Sequence, residues 1–197
     1  MTQGTTAALA TILGPQKPYI ASEVEARVFT VSGFDFSREF KVGDYSHNYR
    51  NISFREGSWA RSHLSGMAEN VASAKVIADK YVTGCPGVAD AIKAAFDKWA
   101  QSHIGHWLNY IGGHSGQASA MITGPSNFPV RRQEKKWRAG DRRYELIEAH
   151  RAAISKRLKR IAYPHGAPGE AIRSSNPDAP ELLRKRIQKL KDNHEYM

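Results

Sequence analysis

The chain has 197 residues, of which 41% are hydrophobic and 24% are charged, as in globular proteins rather than disordered ones. Its single cysteine, Cys85, excludes an internal disulfide framework, and the absence of any run of 18 apolar residues excludes a membrane-spanning helix. The short apolar stretch near the N-terminus follows no basic segment, so we expect no secretory signal and no membrane partner.

The basic residues are concentrated in one part of the chain. In total, 29 Lys and Arg face 19 Asp and Glu, which gives a net charge of +10. Residues 130–163 hold 12 basic and 4 acidic side chains, whereas residues 1–129 hold 11 and 10. A local excess of this kind favours a polyanionic partner, although charged segments are also common on solvated helix faces.

The N-terminal part shows mixed patterns. Residues 5–13 predict a short helix, and two segments, ARVFTVS at 26–32 and NYRNISF at 48–54, predict short strands. Glycines between and after these segments predict turns. We therefore expect a small irregular or β-containing N-terminal part.

Two helices follow, the first beginning at about residue 58 and the second covering about 88–111. Apolar residues recur in both at spacings of three and four, which predicts one buried face on each helix and an antiparallel hairpin. Aromatic residues on such a face belong to a core far more often than to a ligand cage. The predicted faces contain Leu64, Met67, Val71, Ala74 and Ala78 in the first helix, and Ile92, Phe96, Trp99, His103, Trp107 and Tyr110 in the second.

A third, strongly basic helix is predicted at about 130–162, and a terminal helix is predicted after an N-cap at Asn176. Gly140 is expected to weaken or kink the basic helix. We expect these two helices to form a second antiparallel hairpin. Its apolar faces are Trp137, Gly140, Tyr144, Ile147, Arg151, Ile154, Leu158 and Ile161 in the basic helix, and Leu183, Ile187, Leu190 and His194 in the terminal one.

These elements together predict a mainly α fold of two packed helical hairpins with a small irregular or β-containing N-terminal part. The expected segments are 1–57 (the N-terminal part), 58–129 (the first hairpin and a Pro/Gly loop) and 130–197 (the basic helix and the terminal helix).

The beginning of the basic helix is the strongest candidate site. Arg131, Arg132, Lys135 and Lys136 lie in its first two turns, where the helix dipole favours acidic side chains, and a phosphate backbone would explain this arrangement. The alternative is that these cations pair with Glu134 or with acids of the first hairpin. The predicted nucleic-acid-binding residues are Arg131, Arg132, Lys135, Lys136, Arg138, Arg142, Arg143, Lys156, Arg157, Lys159 and Arg160.

Other chemistry has weaker support in the sequence. His103 and His106 share a helix face, with His114 farther along, but neither HExxH nor CxxC accompanies them, so we expect no metal and no cofactor. Cys85 has no histidine beside it in the sequence to activate it as a nucleophile. Fingerprints for phosphate loops, serine hydrolases and dinucleotide folds are missing from the sequence, so we expect no enzymatic activity.

The segment MITGPSNFPVRRQEKK at 121–136, together with SSNPDAPELLRKRIQKLK at 174–191, resembles a group of uncharacterised phage, plasmid and mobile-element proteins. That group shares a block M-I-x-G-x-x-N-F-P-V-[RK], a basic helix and a terminal helix introduced by a D/N-P-D-A element. Relatives often carry cysteines just before the block, where this chain has His114 and Ser115, so the resemblance implies no metal site here. It implies a mobile-element setting and no catalytic activity.

Two hypotheses from different classes follow. The first is a non-enzymatic DNA- or RNA-binding protein of a phage or mobile element, which binds the phosphate backbone in the cytoplasm of a bacterial host. The alternative is a counter-defence interaction protein, for example an inhibitor of a CRISPR effector or restriction system, that binds a host nucleic-acid-binding defence complex. A metal-dependent nuclease is a third, less favoured possibility.

Overall fold

A computed structural model of the protein describes residues 20–124, 128–166, 171 and 176–195. The helix predicted at 5–13 and residues 125–127 of the candidate block lie outside this described part. The N-terminal elements are α1 (Ala21–Glu25), β1 (Val28–Ser32), β2 (Ser37–Lys41), α2 (Gly43–Ser46) and a 3₁₀ turn (His47–Tyr49).

The remaining elements are almost entirely helical. They are α3 (Glu56–Gly84), α4 (Ala89–Gly113), α5 (Ala120–Thr123), α6 (Val130–Ala162) and α7 (Ala179–Glu195), with 3₁₀ turns at Pro86–Val88 and His114–Gly116. The predicted mainly α fold is therefore confirmed. No helix within the described residues has the length and apolar character needed to cross a membrane.

The core lies between α3, α4 and α6, with the most extensive contact between α4 and α6. The predicted antiparallel pairing of α3 with α4 is confirmed, since both helices bury the apolar stripes that the sequence indicated. Large side chains that are fully enclosed include Leu64, Met67, Ile92, Phe96 and Ile147. Burial of each such side chain contributes roughly 1.5–3 kcal/mol, so this three-helix core is the main source of stability.

The N-terminal strands form one antiparallel hairpin, in which Val28 pairs with Lys41 and Ser32 with Ser37. The predicted first strand is confirmed, but the strand predicted at 48–54 is wrong because β2 lies earlier in the chain. A tight turn directly after β1 allows Ser37–Lys41 to pair with β1. The segment at 48–54 is therefore left without a partner strand. That segment instead buries Tyr49, whose hydroxyl lies 2.6 Å from His63 Nδ1 on α3.

A buried carboxylate joins the hairpin to the helical core. Asp97 on α4 accepts hydrogen bonds from the backbone N–H groups of Phe34 and Asp35, at 2.8 and 2.9 Å. Gly33 allows this approach, because a Cβ atom at that position would lie 2.2 Å from Asp97 Oδ1. The charge of Asp97 is thus matched by two donors at the turn of the hairpin.

Helix α6 is continuous from Val130 to Ala162, so the expected weakening or kink at Gly140 does not interrupt it. Gly140 is buried where α6 meets the loop before α5, and a Cβ atom there would lie 3.1 Å from Gln117 Nε2. The glycine therefore permits close packing of a loop on the helix.

The second expected hairpin is not observed, because α6 packs on α4 and α3 and not along α7. Side chains of α7 that were predicted to face α6 are instead in contact with solvent: Leu183 is 47% exposed, Ile187 53% and Leu190 62%. Helix α6 instead buries its seam on the α3–α4 hairpin. The N-cap expected at Asn176 is not formed, because α7 begins only at Ala179; Asn176 Oδ1 instead accepts a hydrogen bond from the Asp178 N–H in the turn before the helix.

Replacing Asp97 with alanine should lower the free energy of unfolding by about 2–4 kcal/mol, because two backbone donors lose a charged acceptor inside the protein. Urea denaturation measures the change. Asp90→Ala is a matched control on the same helix, since the Asp90 side chain is 99% exposed and forms only a surface ion pair. Equal stability of the two variants would show that Asp97 does not hold the hairpin.

Candidate nucleic-acid interface

The buried side of α6 determines where its cations lie. This side faces α4 and α3 and consists of Gln133, Gly140, Ile147, Ile154 and Leu158. Since a helix turns 100° per residue, the side chains on the opposite side of α6 face away from the core. Nine of the eleven predicted site residues are exposed: Arg131, Arg132, Lys135, Arg138, Arg142, Lys156, Arg157, Lys159 and Arg160.

Four of these cations form one row on the outward face. This row consists of Arg131, Lys135, Arg138 and Arg142, at successive spacings of four, three and four residues. Together they line a shallow surface groove. None of the four forms an ion pair with a carboxylate of residues 20–124, 128–166 or 176–195. We call this set the first basic group. Its charges are presented to solvent on a rigid element.

Two predicted site residues have a different role. Lys136 donates a hydrogen bond to the carbonyl oxygen of Gly116, and the Arg143 guanidinium lies directly against Gly113. Both side chains are half-buried. They lie where α4 ends, and cations are stabilised there by free carbonyl groups and by the helix dipole. Lys136 and Arg143 therefore help to fix α6 on α4.

The other predicted cations lie at the opposite end of α6. Lys156, Arg157 and Arg160 project from the outward face and form no ion pair with the described carboxylates. We call these three the second basic group. Lys159 is exposed nearby. Farther back along α6, Arg151 forms an ion pair with Glu148 at 3.3 Å, so this cation already has a carboxylate partner.

The two aromatic residues expected in the seam of α6 are not core residues. Trp137 is 41% exposed and Tyr144 is 44% exposed, so the prediction that both pack in the core is wrong. They lie at the edge of the seam, because the buried line follows Gly140 and Ile147 instead. The Tyr144 ring still packs against Tyr110 of α4, with ring centroids 5.6 Å apart.

A small polar network positions the beginning of α6. Gln133 Oε1 accepts a hydrogen bond from the Ala118 N–H at 3.0 Å, and Gln117 Oε1 lies 3.1 Å from His114 Nδ1. The sequence analysis missed both glutamines. The seven-residue spacing of Gln133, Gly140, Ile147 and Ile154 is the signal that identifies the true seam. This network orients the first basic group outward.

One cluster of histidines lies inside the bundle, where α4 meets α6. His103 Nε2 accepts a hydrogen bond from Trp107 Nε1 at 3.2 Å, and His103 Nδ1 lies 3.3 Å from His150 Nδ1. An indole N–H can only donate, so His103 is neutral with its proton on Nδ1. Burial, together with His150, His106 and Arg151 nearby, lowers the pKa of His103 to about 4.

A second cluster lies beside the N-terminal part. His63 stacks on His114 with ring centroids 5.4 Å apart, and Tyr49 bonds to His63. Burial and the neighbouring His114 lower the pKa of His63 to about 4, and burial also lowers the pKa of His114. His103, His63 and His114 are thus neutral at neutral pH.

The histidines considered as zinc ligands are not brought together. His103 and His106 lie near His150, whereas His114 lies against His63 and Tyr110. Within the described part of the chain, no group of three His, Cys, Asp or Glu residues is placed to hold a metal ion.

Cys85 is half-buried beside Tyr163. The hydrogen bond with Cys85 is the main reason why the pKa of Tyr163 is raised. The partner found for the thiol is therefore a phenol, which does not supply the general base that a nucleophilic cysteine requires.

Stability should fall in acid, because the unfolded chain binds protons that the folded one excludes. An ordinary histidine has a pKa near 6.5, whereas His103 and His63 have values of about 4 in the fold. The stabilisation is complete above about pH 6.5 and is lost as pH falls towards 4. Urea denaturation at pH 7.5 and 5.0 should show this loss.

The variant His103→Gln keeps an acceptor for Trp107 but cannot titrate, so its stability should depend less on pH than that of the parent protein. His165→Gln is the control, because His165 is exposed. If the parent protein and His103→Gln lose stability equally between pH 7.5 and 5.0, His103 is not the titrating group.

Comparisons of the chain with protein-family models, with curated proteins and with solved structures found no match. The function must therefore be inferred from the protein's own residues and geometry.

Proposed function

We propose that the protein is a non-enzymatic nucleic-acid-binding protein that contacts the phosphate backbone through the outward face of α6. The observation that carries this proposal is the first basic group, Arg131, Lys135, Arg138 and Arg142, on a helix whose opposite side is buried. The resemblance of residues 121–136 to phage and mobile-element proteins suggests a bacterial host cytoplasm as the setting.

Charge repulsion supports a polyanionic partner. Like charges three or four residues apart on a helix destabilise it by about 0.2–0.5 kcal/mol for each pair. The first basic group contains three such pairs: Arg131–Lys135, Lys135–Arg138 and Arg138–Arg142. A phosphate backbone would replace this repulsion with attraction and release condensed counterions.

The expected recognition is of backbone rather than of sequence. Long, flexible cations in a solvent-facing row suit phosphate oxygens, and contacts to phosphate carry no direct sequence information. Half-exposed Trp137 lies to one side of the row, and the Tyr144 ring is packed on α4, so stacking on bases is not the main contribution. We therefore expect similar affinities for unrelated sequences and a steep dependence on salt.

Reversal of the first basic group to glutamate should reduce affinity for nucleic acid at least 100-fold at low salt, because attraction becomes repulsion. Fluorescence anisotropy with labelled DNA and RNA measures the affinity, and circular dichroism verifies that helix content is unchanged.

The matched control reverses four exposed cations on other elements, Arg38, Lys41, Lys80 and Lys98. It carries the same change in net charge, so it separates the effect of the first basic group from the effect of the protein's total charge. Equal affinity of the two variants, or an unchanged affinity in the first, contradicts the proposal.

A second candidate function is a counter-defence protein that binds a host nucleic-acid-binding complex. The exposed row of Leu183, Ile187 and Leu190 on α7 favours it, because partner proteins bind amphipathic helices through such rows. Capture of a defence complex from nuclease-treated host lysate, lost in Ile187→Glu but kept in Lys189→Glu, would support this alternative.

A further inference from the structure

The cations on the outward face of α6 are divided into two groups, with a stretch between them that carries none. The first basic group begins at Arg131 and ends at Arg142, and the second basic group consists of Lys156, Arg157 and Arg160. The outward face between them presents Glu145, Leu146, Ala149, Ala152 and Ala153, all of them exposed.

The helix determines the distances between these groups. At a rise of 1.5 Å per residue, the first basic group is about 17 Å long. The stretch without cations between Arg142 and Lys156, which we call the bare stretch, is about 21 Å long. The centres of the two groups lie about 32 Å apart. Ile147, Ile154 and Leu158 are buried on α4 and α3 along this interval, so the spacing is held rigidly.

We propose that the partner is duplex DNA, bound along its axis by both basic groups across one full turn of the double helix; this inference rests on the proposed function. The repeat of B-form DNA is about 34 Å, close to the separation of the groups. The first basic group faces the narrow minor groove and reaches phosphates on both of its edges. The bare stretch faces the wider major groove, and the second basic group reaches the next phosphates beyond it.

Other nucleic acids fit this pattern less well. A flexible single strand can follow any row of cations, so it gains nothing from a rigid interruption of about 21 Å. Double-stranded RNA has a narrow, deep major groove and a wide, shallow minor groove, which reverses the order of short and long spacings. B-form DNA is stiff over this length, and its phosphates recur where the cations do.

The first experiment is a length series. From Arg131 to Arg160 the helix spans about 44 Å, which corresponds to about 13 base pairs. We expect the dissociation constant, corrected for the number of binding positions, to fall at least 10-fold between 10-bp and 20-bp duplex DNA. A 20-nucleotide single strand and a 20-bp RNA duplex should bind more weakly than the 20-bp DNA.

The second experiment separates spacing from charge. A variant with Lys156→Gln, Arg157→Gln and Arg160→Gln should bind 10-bp DNA as the parent does but show no gain with 20-bp DNA. Its salt dependence on 20-bp DNA should be shallower by roughly 2–3 in log–log slope, because about three phosphate contacts are lost.

A third variant adds Ala149→Lys, Ala152→Arg and Ala153→Arg to those three substitutions, which restores the net charge but shortens the separation to about 22 Å. We expect it not to recover the gain with length, because its second group lies over the major groove. Full recovery would show that charge alone matters and would overturn the inference.

The outcomes also distinguish this inference from the proposed function. Binding without a length step, or equal binding of single strands or RNA duplexes, overturns the choice of duplex DNA and leaves the proposed function standing. Absence of binding to every DNA and RNA probe overturns both.

Discussion

The packing of one narrow side of α6 against α4 and α3 determines where the cations of this helix lie. Ile147, Ile154 and Leu158 are almost completely buried along that side. Each contributes roughly 1.5–3 kcal/mol by leaving water, so this contact fixes both the position and the rotation of the helix. The opposite side is consequently exposed over its full length, and both basic groups lie on it.

Polar groups near the seam constrain the protein as well. His103 and His150 lie between α4 and α6, and Gln133 binds the loop at Ala118. Buried polar atoms need partners, and the hydrogen bond from Trp107 is possible only when His103 is neutral. Protonation of His103 in acid therefore weakens the scaffold that holds α6.

The sequence predicted the parts of the fold in which aliphatic residues recur regularly. The stripes of α3 and α4 have one possible buried face, and both were identified correctly. In α6 the spacing of three and four also fitted Trp137 and Tyr144, whereas the line actually buried passes through Gly140, where a loop from elsewhere in the chain packs on the helix. An amphipathic pattern shows that a face is suited to burial but not which surface will cover it, so the partner of α6 could not be derived.

The direction of a charged side chain was equally inaccessible, because Lys136 and Arg143 look like their neighbours until the end of α4 is placed beside them. Once these two are assigned to the scaffold, the first and second basic groups remain on the outward face, and they form no ion pair with the carboxylates of the described residues. If the excess positive charge served only solubility, we would expect it to be spread over the whole surface. Instead, the charges of residues 1–129, which include α3 and α4, nearly balance, with 11 basic and 10 acidic side chains. Because the other side of α6 is buried, the helix can tolerate repulsion between cations on its outward face. The concentration of cations on this face is the feature that the proposed contact with a polyanion would use.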